Sequence, residues 1–120
     1  MSEVETIPVL VGSTFTRVYQ LEDDQLFFEK EDGTVVLFYH EQSCCEHVYI
    51  ESVVGELEDL IGVPIEVAEE RTSHSHNDYD SITYTFYTFR TIKGTVDVRW
   101  VGTSNGYYSE SVDIKVTKGR

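Results

Sequence analysis

Residues 82–117 read ITYTFYTFRTIKGTVDVRWVGTSNGYYSESVDIKVT, and this stretch carries the clearest structural pattern in the chain. Thr, Tyr, Phe and Val alternate there with period two, which favours β-strands whose successive side chains point to opposite faces. Lys93-Gly94 and Asn105-Gly106 interrupt the alternation and are typical of tight turns. The stretch therefore predicts three consecutive antiparallel strands in a meander.

A two-residue turn at Lys93-Gly94 would fix which residues of the first two strands face each other. The predicted cross-strand pairs are Ile92 with Thr95, Arg90 with Asp97, Thr88 with Arg99, and Phe86 with Val101. Alternation then divides the side chains between two faces of the sheet. The face predicted to be buried carries Tyr87, Phe89, Val96, Val98 and Trp100. The opposite face carries Ile82, Tyr84, Phe86, Thr88, Arg90, Asp97 and Arg99, so arginines lie beside aromatic rings there.

The first half of the chain predicts further strands. One is expected where Phe15, Arg17, Tyr19 and Leu21 alternate with other residues, and two more at 25–30 and 34–40. Asp32-Gly33 is a hairpin signal between the latter two. A short strand is also expected at 65–68, whereas 69–81, which contains His74 and His76, has the composition of an exposed polar loop.

Residues 53–61 predict a helix. Apolar residues recur there at helical spacing, namely Val53, Leu57, Leu60 and Ile61. Ser52 would cap the helix start, and Gly62 would supply the left-handed residue at its end. The predicted fold class is therefore α+β, a mainly antiparallel sheet with one amphipathic helix packed on it, and residues 1–120 are expected to form a single domain.

Charge and hydropathy restrict the classes of partner. The formal net charge of −13 argues against a duplex nucleic-acid partner, which requires a basic face. Residues 1–80 hold 19 acidic and 3 basic side chains, whereas residues 81–120 hold 3 acidic and 6 basic ones. Any anion site is therefore expected in the last third. With no apolar run of about 20 residues and no signal-peptide pattern, we expect an intracellular protein without membrane association.

Catalytic and metal-binding motifs are weak. His40, Cys44, Cys45 and His47 are close in sequence, but their spacing is poor for zinc, and adjacent cysteines are not expected to form a disulfide. Such cysteines fit a reducing compartment. The chain has no nucleophile elbow, no phosphate-binding glycine loop and no dinucleotide fingerprint. We therefore expect no enzyme activity, no metal and no cofactor.

Arg90 and Arg99 are the leading candidates for a binding site. A guanidinium offers bidentate hydrogen bonds to phosphate, and its flat surface stacks on a ring. Tyr84 and Phe86, on the same predicted face, could stack on a purine. The alternative is an exposed ion pair between Arg90 and Asp97 with incidental aromatic neighbours.

The segment after the second strand adds two candidates, Asn105 and Tyr107. Asn105 supplies an amide, and Gly106 would let the backbone approach a ligand closely. Tyr107 and Tyr108 face opposite sides if they lie on a strand, so at most one joins a given pocket. The alternative is that Asn105-Gly106 is only a structural turn.

Two blocks of sequence resemble a small phage and prophage family that includes or lies close to the first-described Thoeris anti-defence proteins. The blocks are HEQSCCEHVYIESVVGELEDLIGVPIEVAEE and TYTFYTFRTIKGTVDVRWVGTSNGYYSESVDI, and the resemblance covers roughly residues 38 to 114. The Cys-Cys-Glu triplet, Glu-Asp-Leu-Ile-Gly, and Arg-Trp followed by Ser-Asn-Gly-Tyr-Tyr-Ser carry it. The N-terminal third does not contribute.

The resemblance implies a non-catalytic homo-oligomer in the cytoplasm of an infected or lysogenic bacterial host. Such a protein sequesters the cyclic ADP-ribose isomer (glycocyclic ADP-ribose) made by a TIR-domain defence enzyme, and some relatives also hold cyclic oligonucleotides. Two other functions stay open from the residues. One is an acidic interaction module that blocks a basic partner, and the other is an enzyme that cleaves a nucleotide signal.

Overall fold

The computed structural model describes residues 4–76, 80–106 and 109–119. These residues form nine strands and one turn of 3-10 helix. The strands are β1 (Val4–Thr6), β2 (Arg17–Leu21), β3 (Gln25–Glu29), β4 (Val35–Tyr39), β5 (His47–Val54), β6 (Val67–His76), β7 (Ser81–Thr91), β8 (Gly94–Ser104) and β9 (Asp113–Thr117), and the 3-10 turn is Leu57–Leu60. All strand pairs are antiparallel, in two sheets of order β1-β6-β7-β8-β5 and β2-β3-β4-β9. The α+β prediction is therefore wrong, because the described residues form an all-β fold.

The two sheets pack face to face through aromatic side chains. Phe28 of β3 lies 5.1 Å from Phe89 of β7, and Phe38 of β4 lies 4.8 Å from Tyr87, measured between ring centroids. The face predicted to be buried is confirmed, since Tyr87, Phe89, Val96, Val98 and Trp100 are each at most 1% exposed. Burial of each large apolar side chain contributes about 1.5–3 kcal/mol, so this interface provides much of the driving force for folding.

The β7–β8 hairpin differs in register from the prediction. Its turn is Ile92-Lys93, so Thr91 faces Gly94 and Phe86 faces Arg99. The Thr91 hydroxyl holds this turn by accepting the Lys93 amide at 3.1 Å and donating to the Asp59 carbonyl. The pairing is displaced by two residues, which leaves every side chain on its predicted face.

The predicted three-stranded meander is also wrong. β9 does not continue the sheet beside β8 but pairs with β4 in the other sheet, in a register that places Val36 opposite Val116. The segment between β8 and β9 therefore crosses from one sheet to the other. Val112 packs against the core along this crossing.

The helix predicted at 53–61 does not form. Val53 and Val54 end β5, and Gly55 then leaves the strand at a φ of +110°. A Cβ at Gly55 would lie 2.4 Å from the Thr95 carbonyl oxygen, so the chain passes too close to β8 for a larger residue. Pairing with β8 thus overrides the helical spacing, and only Leu57–Leu60 forms a helical turn. The left-handed glycine predicted at Gly62 is confirmed, with a φ of +82°.

The exposed loop predicted at 69–81 is largely a strand. β6 pairs with β7 over its full length, from Val67 opposite Arg90 to His76 opposite Ser81. Polar residues dominate β6 because one face of the strand is in contact with solvent. The other face lines a polar cavity toward the C-terminal end of the strand. Composition alone could not distinguish such a strand from a loop.

Residues 40–46 connect the two sheets and are organised by the buried Glu46. Its carboxylate accepts the amides of Ser43 and Cys44, each at 2.9 Å, and His40 Nε2 at 2.8 Å. The Cys44 amide foremost, and then His40, lower the pKa of Glu46 to about 2. The ionised carboxylate therefore adds stability above about pH 4.5, which is lost as the pH falls toward 2.

Cys44 and Cys45 form a disulfide in the structure, contrary to the expectation from their adjacency. The chain bends at these two residues instead of running extended. The bend brings to one side two side chains that would point apart on a strand.

Candidate functional site

A groove crosses the outer face of the five-stranded sheet, opposite the core. It has a volume of about 280 Å³ and is lined by side chains of β6, β7, β8 and β5. The side chains that line it include Ser52, Val54, Arg71, Phe86, Asp97 and Arg99. We call this feature the outer groove.

Three side chains form a row across the middle of the outer groove. Phe86 faces Arg71 of β6 on one side and Arg99 of β8 on the other. Side chains directly opposite each other on antiparallel strands have Cβ atoms about 4.5–5.5 Å apart. The Arg71 guanidinium lies 5.9 Å from the centroid of the Phe86 ring, within the range of a cation–π contact. A flat apolar ring is thus flanked by two cationic hydrogen-bond donors.

Acidic side chains balance part of this positive charge. Arg99 Nη2 lies 2.5 Å from Glu51 Oε1, and the two side chains are 45% and 36% exposed. Glu51 lies at an irregularity in the pairing of β5 with β8, between Ile50 and Ser52. Asp97 accepts a hydrogen bond from the Thr88 hydroxyl at 2.8 Å. An anion that binds Arg99 must therefore compete with Glu51.

The structure brings together only some of the predicted site residues. Phe86 and Arg99 line the outer groove, and Tyr84 stacks on Phe86 with ring centroids 6.2 Å apart. Arg90 lies four residues along β7 from Phe86, a distance of about 13 Å on an extended strand. Asn105 lies beyond the opposite end of β8. Tyr107 falls outside the described residues.

The ion pair between Arg90 and Asp97, which was the alternative to a binding site, does not form. The two-residue displacement of the hairpin places Thr88 opposite Asp97 and Thr95 opposite Arg90. Arg90 instead lies 3.8 Å from Glu66. Arg90 is thus part of an exposed ion pair at the turn end of the sheet, outside the outer groove.

Sequence reasoning missed Arg71. It lies in the segment that we predicted to be a loop, where no residue could be assigned to a face of the sheet. The signal that could have found it is the position of Arg71 after the predicted strand at 65–68. Continuing that strand with period two places Arg71 and Val67 on the same face.

Within residues 4–76, 80–106 and 109–119, no group of three or more His, Cys, Asp or Glu side chains could hold a metal ion. His47 stacks on Tyr49 with centroids 4.5 Å apart, and His40 binds Glu46 and the Ser111 carbonyl. A search of the same residues for a helix long and apolar enough to cross a bilayer finds none.

The model of a domain of unknown function, DUF7448, matches residues 8–114. No curated protein and no solved structure matches the chain significantly.

Proposed function

We propose that the outer groove of this chain, which belongs to the DUF7448 family, a domain of unknown function, binds a nucleotide signal of the cyclic ADP-ribose type. The signal is the cyclic ADP-ribose isomer made by a bacterial TIR-domain defence enzyme. The protein sequesters it in the cytoplasm of the host and so acts against the defence. The row of Arg71, Phe86 and Arg99 is the observation that carries this proposal.

The chemistry of the row suits such a ligand. Cyclic ADP-ribose isomers carry a pyrophosphate and an adenine, which require cationic donors and a flat apolar surface. A guanidinium binds phosphate with two parallel, charge-assisted hydrogen bonds, and bases stack on aromatic rings. Arg71 and Arg99 supply the donors and Phe86 the surface, at a spacing fixed by the sheet rather than by a loop.

The local charge supports an anionic ligand despite the acidity of the whole chain. The chain carries a net charge of −13, yet two arginines converge on one groove. Arg99 forms an ion pair with Glu51, and both side chains are exposed to solvent. Exposed ion pairs contribute only about 0–1 kcal/mol, so a pyrophosphate can displace this carboxylate at little cost.

We further propose binding without turnover. Hydrolysis of the ligand requires an activated water or a nucleophile beside the reacting bond. Asp97, the carboxylate among the described residues that line the groove, is held by the Thr88 hydroxyl. The groove therefore supports capture of the ligand better than its cleavage.

The bound ligand also has to be shielded from solvent. The outer groove lies open on one sheet face, and Val54 at its margin is 64% exposed. We propose that a second copy of the chain covers this surface in a homo-oligomer, which encloses the ligand between subunits. Sedimentation of the purified protein at micromolar concentration tests this, and a monomer in the presence of ligand would contradict it.

Capture of the natural ligand tests the function directly. Purified protein is incubated with extract from cells whose TIR-domain enzyme is active, then washed and heat-denatured, and the released molecules are analysed by mass spectrometry. We expect an intact cyclic ADP-ribose isomer from the wild type and from the Arg90→Ala variant, whose altered residue lies outside the groove. The double variant Arg71→Ala and Arg99→Ala should release much less.

The other functions give different results in the same experiment. A linear ADP-ribose product would mean that the protein cleaves its ligand. Release of no nucleotide from the wild type would refute the proposal and direct attention to a basic protein partner for the acidic surface.

A further inference from the structure

A second cavity lies on the other side of the five-stranded sheet. It has a volume of about 360 Å³ and is formed by the inner faces of β6 and β7 where the segment 109–112 crosses them. Its lining includes the polar side chains of Glu70, Thr72, His74, Thr83, Thr85 and Glu110. We call this feature the inner cavity. The sheet separates it from the outer groove.

Glu110 is an oriented, buried carboxylate in this cavity. It is 7% exposed, and its Oε1 accepts the hydroxyls of Thr83 at 2.8 Å and Ser81 at 3.2 Å. The Ser104 hydroxyl donates to its Oε2. Gly102 makes room for it, since a Cβ there would lie 2.6 Å from the Glu110 carbonyl oxygen. Three hydroxyl donors therefore hold in place a carboxylate that water hardly reaches.

The orientation of these hydrogen bonds defines which atom donates between His74 and Thr83. Thr83 gives its single hydroxyl proton to Glu110, so it can only accept from His74 Nδ1, which lies 2.9 Å away. Nδ1 therefore carries a proton. Among the described residues, no hydrogen-bond partner is present for Nε2.

Glu70 provides the second carboxylate. Its Oε1 accepts the Tyr87 hydroxyl at 2.5 Å. Burial, and then the bond to Glu70, raise the pKa of Tyr87, so its hydroxyl stays a donor at every physiological pH. The other oxygen, Oε2, has no hydrogen-bond partner within the described part of the chain.

Thr85 provides an independent indication of a ligand. It lines the cavity and is only 2% exposed, yet its hydroxyl has no partner among residues 4–76, 80–106 and 109–119. The hydroxyl oxygen can therefore accept a hydrogen bond from a ligand in the cavity.

We infer that the inner cavity binds a small organic cation, a primary ammonium group on a chain of a few carbons. The cavity presents two carboxylates, and no Lys or Arg occurs among its described lining residues. An ammonium group has three donors, two of which match the open acceptors of Glu70 and Thr85. Val112 supplies an apolar surface for the carbon chain. The absence of a three-ligand metal group among the described residues favours an organic cation over a metal ion.

Isothermal titration of the full chain with butylamine and 1,4-diaminobutane tests this inference, with 1-butanol as the uncharged probe of matched length. We expect saturable binding of at least one of the two amines and no binding of 1-butanol. Glu70→Gln should weaken amine binding at least tenfold. Glu66→Gln is the matched control, because it removes an exposed carboxylate at the edge of the sheet and should leave amine binding unchanged.

A second variant separates ligand binding from folding. Thr85→Val keeps the side-chain volume and removes only the unpartnered hydroxyl, so the protein should stay folded and its thermal midpoint should not fall. We expect several-fold weaker amine binding. Equal binding of amine and butanol, no saturable binding of either amine, or full amine affinity in both Glu70→Gln and Thr85→Val would overturn the inference. None of these results depends on the outer groove, which the Arg99→Ala variant tests separately.

Discussion

The two faces of β7 carry the same kinds of side chain in opposite environments. Tyr87 and Phe89 point inward, are fully buried and contact the aromatic rings of the other sheet. Tyr84 and Phe86 point outward and stack on each other, and Phe86 lies between Arg71 and Arg99. Aromatic residues on a strand therefore do not by themselves indicate a core. The environment on each face decides whether a ring stabilises the fold or provides a binding surface.

The largest difference between the faces should appear in stability. Phe89→Ala removes a fully buried ring that contacts Phe28 and Phe38, so we expect a loss of about 3–5 kcal/mol in the free energy of unfolding. Phe86→Ala, the same change on the outer face, should cost less than about 1 kcal/mol, as is usual for changes away from the core. Urea denaturation of both variants measures the difference. Equal losses would mean that the outer ring is part of the core.

The next largest effect concerns binding at the outer groove. Arg99→Ala should weaken binding of cyclic ADP-ribose by about 1.5–3 kcal/mol, because it removes charge-assisted hydrogen bonds to the pyrophosphate. The free energy of unfolding should barely change, since the side chain is 45% exposed. Equilibrium titration measures the effect, with Arg90→Ala as the control that keeps full affinity. Unchanged affinity in the Arg99 variant would remove that residue from the site.

The outer ring should contribute to binding rather than to stability. Phe86→Ala removes the surface on which the adenine stacks, and base–aromatic stacking contributes about 1–3 kcal/mol. We expect a loss of nucleotide affinity in this range, measured in the same titration. Replacement by Tyr keeps a flat ring and should keep most of the affinity. A variant with leucine that binds as tightly as the wild type would show that no ring is stacked there.

The smallest expected effect has the opposite sign. Glu51→Gln frees Arg99 from its carboxylate partner, so nucleotide binding should become tighter by up to about 1 kcal/mol, the value of an exposed ion pair. The gain should shrink as salt is added, because screening already weakens the pair in the wild type. Weaker binding by this variant would mean that Glu51 itself contacts the ligand.

The alternation of residues predicted the two faces of the β7–β8 hairpin more reliably than its register or its pairing with a third strand. Period-two alternation assigned Phe89 to the core and Phe86 to the outer face because burial requires that pattern. The turn residues did not fix the register, because the Thr91 hydroxyl and its contact with Asp59 hold the turn in place. Such a contact depends on a residue distant in sequence, and turn propensity does not include it.

The errors share a physical cause, which is that tertiary contacts outweigh local preference. Pairing of β5 with β8 overrides the helical spacing at 53–61. In the same way, β9 pairs with β4 and not with β8, the neighbour predicted for it. Alternation found two of the three residues in the row across the outer groove. Arg99 and Phe86 were found from alternation, whereas Arg71 was missed because β6 is too polar to resemble a strand.

The most direct test of the central claim is an equilibrium titration of cyclic ADP-ribose with the wild type and with a double variant, Arg71→Ala and Arg99→Ala. We expect the wild type to bind with micromolar or tighter affinity and the double variant at least about a hundredfold more weakly, a difference of about 2.8 kcal/mol. Glu70→Gln, in the inner cavity, should bind the nucleotide like the wild type. Equal affinity of the wild type and the double variant, or no binding by either, would contradict the assignment of the outer groove as a nucleotide site.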